Sequence, residues 1–269
     1  MILLKKSIIK VLSFFKRKRI YPENIQFRSL FSNFERAIVF GSSPSINQID
    51  CTQFKDDFVI TIGNFFEHPD IEKINPNVHI FAASHPPITE KVLRNWWSRC
   101  NEVLPKDTVL LIEIRDKEIA KEIFNDRKLF YYSYGGSLPV DFTKKILSPW
   151  SVTIVALQLT VFCRIKKIML FGINHDWQCI QPYTHFYDHE KPSLEYYLKK
   201  EGIKISYEEQ KQPFPKERLY REYELYQQYE SLKKEANTLG LEIVNCDPFS
   251  HFDVFPFEKR TDLIINKKL

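Results

Sequence analysis

Short apolar runs alternate along this chain with segments of helical pattern, and this alternation is the strongest constraint on its fold. The runs are bounded by turn residues, which is typical of buried strands. They occur at residues 37–40, 58–62, 78–83, 108–114, 128–132, 167–171 and 241–245. Segments with a helical pattern lie at about residues 89–102, 116–125, 148–162 and 219–239. This order predicts an α/β fold with a mostly parallel sheet and helices on both of its faces.

The helix that starts near residue 148 is predicted to be central in the fold. Ser148 suits the N-cap position, and Pro149 suits the first helical position. The helix body, residues 152–162, is apolar on almost every side. Such a helix is expected only where neighbouring elements cover most of its faces.

The first apolar run ends abruptly in a glycine and a serine-rich turn. The turn consists of Gly41, Ser42, Ser43, Pro44 and Ser45. Glycine lets the main chain approach a ligand closely, and free N–H groups together with serine hydroxyls can bind phosphate oxygens. The alternative is an ordinary strand-to-helix turn in which Ser45 is the N-cap residue.

A second polar turn follows the apolar run at 167–171. Gly172 is followed there by Ile173, Asn174 and His175, just past the carboxyl end of a predicted strand. Ligands bind at this edge in open α/β sheets. The next segment, about residues 178–216, is aromatic and charged without a dominant period. We expect it to form a loop or lid over the ligand edge.

Two histidines of this segment, His185 and His189, are candidates for a general base, because imidazole exchanges protons near neutral pH. The alternative is a surface loop with solvated imidazoles. A metal site is not predicted, because the pair lacks a third ligand and the H-E-x-x-H order. The chain also lacks a D-x-D pair, a P-loop, G-x-G-x-x-G and G-x-S-x-G. These gaps favour nucleotide chemistry without a dedicated metal pair.

The charge balance does not require a nucleic-acid partner. The 269 residues include 39 Lys and Arg against 34 Asp and Glu, for a net charge of +5, so no nucleic-acid surface is predicted. The five cysteines are scattered without close C-x-x-C pairs. This pattern favours reduced thiols in a cytoplasmic protein.

The positive charge is concentrated at the start of the chain. Residues 1–19 contain seven Lys or Arg and no acid. Lys5, Lys6 and Lys10 interrupt the apolar residues, so the segment is too polar to span a membrane, and no small-residue cleavage site follows it. Residues 1–20 are predicted to form a helix on the anionic surface of the inner membrane. The alternatives are a solvated tail and a partner-docking helix.

An ordered set of motifs resembles two related bacterial families. These motifs are the segments 39–46, 63–64, 153–158, 167–175 and 184–186, followed by 243–246 and 252–256. Over roughly residues 37–257 the chain resembles the 6-hydroxymethylpterin diphosphokinase MptE-like domain and the sialyltransferases of glycosyltransferase family 42. The resemblance implies a Rossmann-like sheet with a C-terminal lid-like segment.

The same resemblance implies which residues hold a nucleotide. In the sialyltransferases the turn after the first strand and the Asn after the second hold a cytidine monophosphate (CMP) sugar. The corresponding residues here are Gly41, Ser42, Ser43, Ser45 and Asn64. Ser151 and Thr153 lie at the second nucleotide-contacting turn, where Ser148-Pro149-Trp150-Ser151 replaces the family's Ser-Gly pair. Asn174, beside His175, occupies the place of the family's Asp in Gly-Ile-Asp.

The resemblance also indicates a general base. His189 matches the catalytic His of the sialyltransferases, whereas His185 matches the better-marked position of the MptE-like branch, and His189 is slightly preferred. A tyrosine such as Tyr187 or Tyr183 would stabilise the leaving phosphate without metal. No cofactor is expected, since the CMP-activated sugar is a substrate.

The implied activity is that of a cytoplasmic, membrane-peripheral glycosyltransferase. It would move a sialic-acid-like or other ulosonic acid from CMP to a glycan or glycolipid acceptor, and a homo-oligomer is possible. The predicted parts are a basic segment at 1–30, a catalytic domain at 31–257 and a basic tail at 258–269. Two alternatives remain open, an ATP- and magnesium-dependent pterin-type diphosphokinase and a non-catalytic nucleotide-binding module of a polysaccharide assembly complex.

Overall fold

The computed structural model describes residues 19–175, 185–187, 192–203 and 215–265. In this part of the chain, seven strands form one sheet, and every pairing is parallel. The strands are β1 (Arg36–Phe40), β2 (Phe58–Ile62), β3 (Val78–Ile80), β4 (Val109–Glu113), β5 (Leu129–Tyr132), β6 (Lys167–Phe171) and β7 (Glu242–Asn245). The α/β prediction is confirmed, and the described sheet is parallel throughout.

Helices cover the sheet on both faces. They are α1 (Gln26–Leu30), α2 (Ile71–Ile74), α3 (Glu90–Val103), α4 (Lys117–Ile123), α5 (Val152–Cys163), α6 (Leu194–Lys200) and α7 (Pro215–Thr238). One apolar core contains Val39 of β1 with residues of α1, α5 and α7, and the other contains Phe40 with residues of α2, α3 and α4. Successive strand residues point to opposite faces, so strands buried on both faces are continuous apolar runs.

The order of the strands creates a switch point beside β1. The sheet order is β5-β4-β3-β2-β1-β6-β7. The chain therefore builds outward from β1 on one side and then returns through α5 to place β6 on the other side. In doubly wound sheets, loops that lead in opposite directions, as those after β1 and β6 do, leave a ligand-binding crevice at the carboxyl edge.

Helix α5 is central, as its apolar sequence predicts, but it begins three residues later than the Ser148–Pro149 pattern indicates. All of its residues from Thr153 to Cys163 are buried. Ser151 is the N-cap residue, and its Oγ accepts a hydrogen bond from the Thr153 N–H at 3.3 Å. Ser148 instead accepts a bond from the Gly135 N–H at 3.1 Å, so it belongs to the preceding connection.

The residues just after position 20 pack into the domain. Asn24 is fully buried, and its Nδ2 donates to the carbonyls of Tyr131 at 2.7 Å and Phe142 at 2.9 Å. Phe27 is also fully buried. Residues 22–30 therefore form part of the folded body, although the sequence pattern grouped them with the basic segment. Residues 1–18 lie outside the described residues.

The described residues of the predicted C-terminal tail contact the domain. Asp50 donates its N–H to the Leu263 carbonyl at 2.8 Å, and Ile265 donates to the Gln48 carbonyl at 2.9 Å.

Within the ranges given above, none of the helices combines the length and the apolar character that crossing a bilayer requires.

A buried histidine fixes the turn after β2. His79 on β3 is fully buried, with Nδ1 2.8 Å from Thr61 Oγ1 and Nε2 3.0 Å from the Gly63 carbonyl oxygen. Because a carbonyl only accepts, Nε2 donates to Gly63 and Nδ1 accepts from Thr61. Burial lowers the pKa of His79 to about 3, so the neutral ring is the folded form.

This burial predicts a pH dependence of stability. Below about pH 6.5 the unfolded chain protonates His79 and the folded chain does not, so the free energy of unfolding decreases as the pH falls toward 3. The contribution of this imidazole approaches about 1.4 kcal/mol per pH unit well below pH 6.5. Urea denaturation at pH 7 to 5 should therefore show a smaller slope for His79→Gln. His85→Gln is the matched control, because His85 is exposed, and it should leave the dependence of the free energy of unfolding on pH unchanged. Equal slopes in the original protein, His79→Gln and His85→Gln would contradict the prediction.

Candidate functional site

The candidate site lies between the loop after β1 and the loop after β6. The two loops meet through their backbones, since the Gly41 N–H donates to the Phe171 carbonyl at 2.8 Å and the Ser43 N–H donates to the Gly172 carbonyl at 3.0 Å. A Cβ at Gly41 would lie 2.3 Å from the Gly172 oxygen. A side chain is therefore excluded at Gly41, which explains the glycine at the end of the first apolar run.

Two side-chain hydrogen bonds, one buried and one partly buried, hold the serines of the first loop. Asn174 Nδ2 donates to Ser43 Oγ at 2.6 Å, and Ser45 Oγ donates to Asp247 Oδ2 at 2.5 Å. Five of the predicted nucleotide-binding residues are thus brought together here, namely Gly41, Ser42, Ser43, Ser45 and Asn174. The alternative of Ser45 as an N-cap is wrong, because the short 3-10 helix Pro44–Gln48 already includes Ser45 and has Ser43 at its cap position.

Asn64 makes its described contacts one strand away from these serines. Its Oδ1 accepts from Trp96 Nε1 at 2.5 Å and from the Leu194 N–H at 3.3 Å. Its Nδ2 donates to Glu195 Oε2 at 3.2 Å. The amide therefore joins the turn after β2 to α3 and to the start of α6, and its contact with a nucleotide stays a prediction.

Two of the predicted catalytic residues lie at the edge of the first loop. The N–H of Phe186 donates to the Ser42 carbonyl at 3.0 Å, and Asn47 Nδ2 donates to the Phe186 carbonyl at 2.8 Å. The neighbouring rings of His185 and Tyr187 stack with centroids 4.9 Å apart. The structure thus holds the segment 185–187 beside the serine loop. His189 and Tyr183 lie outside the described residues.

His175 makes a buried contact with α7. Its backbone is left-handed, with φ of 49°, and its Nε2 lies 2.7 Å from the Tyr229 hydroxyl. The ring also packs edge-to-face on Phe252, with centroids 5.3 Å apart. Burial lowers the pKa of His175 to about 4. A neutral ring in this position anchors the turn that carries Asn174, and a direct nucleotide contact of His175 stays a prediction.

A cavity of about 210 Å³ opens at the same edge of the sheet. It lies where β3, β4 and β5 end and where α5 begins. Its walls are Ala82, Ala83, His85, Arg115, Tyr134, Pro149, Trp150, Ser151 and Val152. Of the predicted site residues, Ser151 lines this cavity, and Thr153 follows in the first turn of α5. Arg115 and Tyr134 belong to no motif of the sequence, although both closely follow a predicted strand, and Trp150 was expected only as part of the turn before α5.

The cavity combines a cation with a helix N-terminus. Arg115 Nε donates to Glu113 Oε2 at 2.9 Å, and the guanidinium carbon lies 5.9 Å from the centre of the Tyr134 ring. The pair with Glu113 orients the guanidinium and partly offsets its charge. The start of α5 also lines the cavity, and the positive end of its dipole adds partial positive charge. This arrangement suits a small anionic group.

No metal centre is present among the described residues, since no group of three or more His, Cys, Asp or Glu side chains could hold an ion there. The described cysteines are all buried free thiols. Burial raises the pKa of Cys163 and Cys246 to about 12, which leaves these thiols protonated at neutral pH.

Comparison with solved structures identifies a similar fold. A variant of the sialyltransferase CST-II in complex with CMP matches with a TM-score of 0.51, at 15% identity over 87% of this chain and 89% of that chain. The chain shares the fold of this sialyltransferase. CstII from Campylobacter jejuni with the substrate analogue CMP-3FNeuAc also matches, with a TM-score of 0.47, 12% identity and coverage of 83% and 86%. The monofunctional α-2,3-sialyltransferase Cst-I from the same organism matches with a TM-score of 0.49, 14% identity and coverage of 88% and 90%.

No protein-family model matches the chain. No curated protein matches it. The MptE-like resemblance therefore stays a prediction, and what the chain shares with the solved sialyltransferase is the fold.

The glycine contact in the crevice gives a stability prediction. Gly41→Ala forces a Cβ against the Gly172 backbone, so we expect a loss of about 3 kcal/mol or more in the free energy of unfolding. Gly63→Ala is the control, because Gly63 has a positive φ but open space around it and should lose only about 1–2 kcal/mol. Urea denaturation measures both. A loss at Gly41 no larger than that at Gly63 would show that the close approach is not rigid.

Proposed function

We propose that this protein is a glycosyltransferase that moves an acidic sugar from a CMP-activated donor to a glycan or glycolipid acceptor. The observation that best supports this proposal is the meeting of two loops at the switch point. There the backbone and hydroxyls of the Gly41–Ser45 loop lie beside the turn that contains Asn174. The fold shared with a CMP-bound sialyltransferase supports this assignment.

The donor would lie across the crevice and the cavity. Its phosphate would contact a serine hydroxyl and the N–H groups of Ser42 and Ser45, since those of Gly41 and Ser43 already donate to the loop after β6. Its carboxylate would enter the 210 Å³ cavity between Arg115 and the start of α5, near Ser151. At about 210 Å³, this cavity is far larger than the space that one water molecule needs, so it has room for a carboxylate.

Transfer requires a base for the acceptor hydroxyl and stabilisation of the departing phosphate. His189 or His185 would accept the acceptor's proton, because an imidazole within hydrogen-bond reach acts near neutral pH. Tyr187 stacks on His185, and its hydroxyl would stabilise the charge of the leaving CMP. Residues 1–20, which are rich in Lys and Arg, would bring the enzyme to the inner membrane and to a lipid-carried acceptor.

Ligand-induced thermal stabilisation tests the donor class. CMP without magnesium should raise the melting temperature, and CMP-3FNeuAc should raise it further, because each binds the folded state. Arg115→Met should reduce the affinity for CMP-3FNeuAc about tenfold or more and leave that for CMP unchanged, since it removes one charge-assisted contact. Lys117→Met is the matched control, because Lys117 is a nearby cation that does not line the cavity.

Other ligand responses would contradict the proposal. Stabilisation by ATP with magnesium but not by CMP would favour the diphosphokinase. The absence of any nucleotide response would favour the non-catalytic module. Stabilisation by CMP with no further gain from the acidic sugar would preserve the nucleotide site and reject the acidic donor.

Substitution of the two histidines tests the base. His189→Ala or His185→Ala should lower sugar transfer by about 100-fold or more, while the CMP affinity stays within about threefold of the original protein. Transfer is measured as CMP release that depends on the acceptor. His251→Ala serves as the control, because His251 is exposed and does not line the cavity. If both single variants keep full activity, neither histidine is the base.

A further inference from the structure

Asp247 is a buried acid whose role the sequence gives no reason to expect. It follows β7, and no part of it is exposed. Its Oδ2 accepts from Ser45 Oγ at 2.5 Å and from the Gly172 N–H at 2.8 Å. Its Oδ1 accepts from the Phe249 N–H at 2.8 Å. A single carboxylate therefore joins the loops after β1, β6 and β7.

The three partners determine the chemistry that this position needs. All three are donors, and they converge on both oxygens, so a side chain with two accepting oxygens is required. In the described part of the chain no Lys, Arg or His forms an ion pair with Asp247. A buried carboxylate costs free energy unless it accepts hydrogen bonds. The three donors therefore stabilise Asp247, and Asp247 in turn fixes the positions of the three donors.

The bond to Asp247 also determines which serine of the loop after β1 has a hydroxyl proton left to donate. Ser45 gives its only proton to the carboxylate, so it has none left to donate to an incoming phosphate. Ser43 is different, because its Oγ accepts from Asn174 Nδ2 and keeps its own proton for donation. Two serines that are alike in the sequence thus have opposite hydrogen-bonding roles.

We propose that Asp247 is the positioning residue of the nucleotide loop. By holding Ser45 and Gly172 on one oxygen, it fixes the width of the crevice and makes Ser43, rather than Ser45, the hydroxyl that donates to the phosphate. This inference rests on the proposed function, because it assumes that the loop binds CMP. Asp247 acts through Ser45 and Gly172 and does not itself contact the nucleotide.

Calorimetric binding of CMP and cytidine tests the proposal, because the ratio of their affinities isolates the phosphate contact. Asp247→Asn places an NH₂ group against a donor, so it should reduce the CMP-over-cytidine affinity ratio about tenfold. Ser43→Ala should reduce the same ratio to a similar degree. Asp247→Asn should cause little further loss in a Ser45→Ala background, because both changes break the same bond.

Asp57→Asn is the control for loss of a buried carboxylate. Asp57 is nearly as buried as Asp247, but it pairs with Arg36 at the opposite edge of the sheet. It should lower the melting temperature without changing the affinity ratio. If Asp247→Asn does not fold, Ser45→Ala and Ser43→Ala together carry the test. Both should reduce the ratio, and an unchanged ratio in Ser45→Ala would overturn the role of Asp247.

Calorimetry distinguishes a failure of the proposed function from a failure of the role of Asp247. Wild-type protein that binds no CMP overturns the proposed function and this inference with it. Wild-type protein that binds CMP, together with a folded Asp247→Asn protein of unchanged affinity ratio, overturns only the role of Asp247. An unchanged ratio in Ser43→Ala, with a reduced ratio in Ser45→Ala, would reverse the assignment of the two hydroxyls and overturn it as well.

Discussion

The close approach of two backbone loops beside β1 is the constraint on which the site depends. Gly41 and Gly172 let the turn after β1 contact the turn after β6 without an intervening side chain. This contact exists because β1 and β6 are parallel neighbours whose connections lead in opposite directions. The place where these loops meet is thus a consequence of strand order, and the contact between them is made by backbone groups instead of side chains.

Polar side chains that follow β6 and β7 hold this contact between the two loops in place. Asp247, Asn174 and His175 belong to the carboxyl edges of β6 and β7. Each makes a hydrogen bond that holds the loops at this edge, buried for Asp247 and partly buried for Asn174 and His175. Groups of this kind cost free energy unless their partners are satisfied, so the loops have little freedom to rearrange. Rigid loops suit the binding of a phosphate, because the donors are oriented before the ligand arrives.

The second region of the site uses a different set of forces. Arg115 and the start of α5 offer positive charge in a small cavity, and Trp150 and Tyr134 form part of its walls. The segment 185–187, which carries a candidate base, lies against the other side of the serine loop. In the proposed function, a donor would span both regions, and the candidate base would act beside the serine loop.

Local sequence determined the fold class, the strands, the central apolar helix and the glycine turn after β1, because these features depend on short-range hydrophobic periodicity and backbone conformation. Tertiary structure alone decided the partners of that turn. Ser45 and Asp247 are 202 residues apart, Ser43 and Asn174 are 131 apart, and no local pattern relates them. The start of α5 at Ser151 and the cavity at Arg115 were likewise set by packing, because strand order brings distant loops to one edge of the sheet.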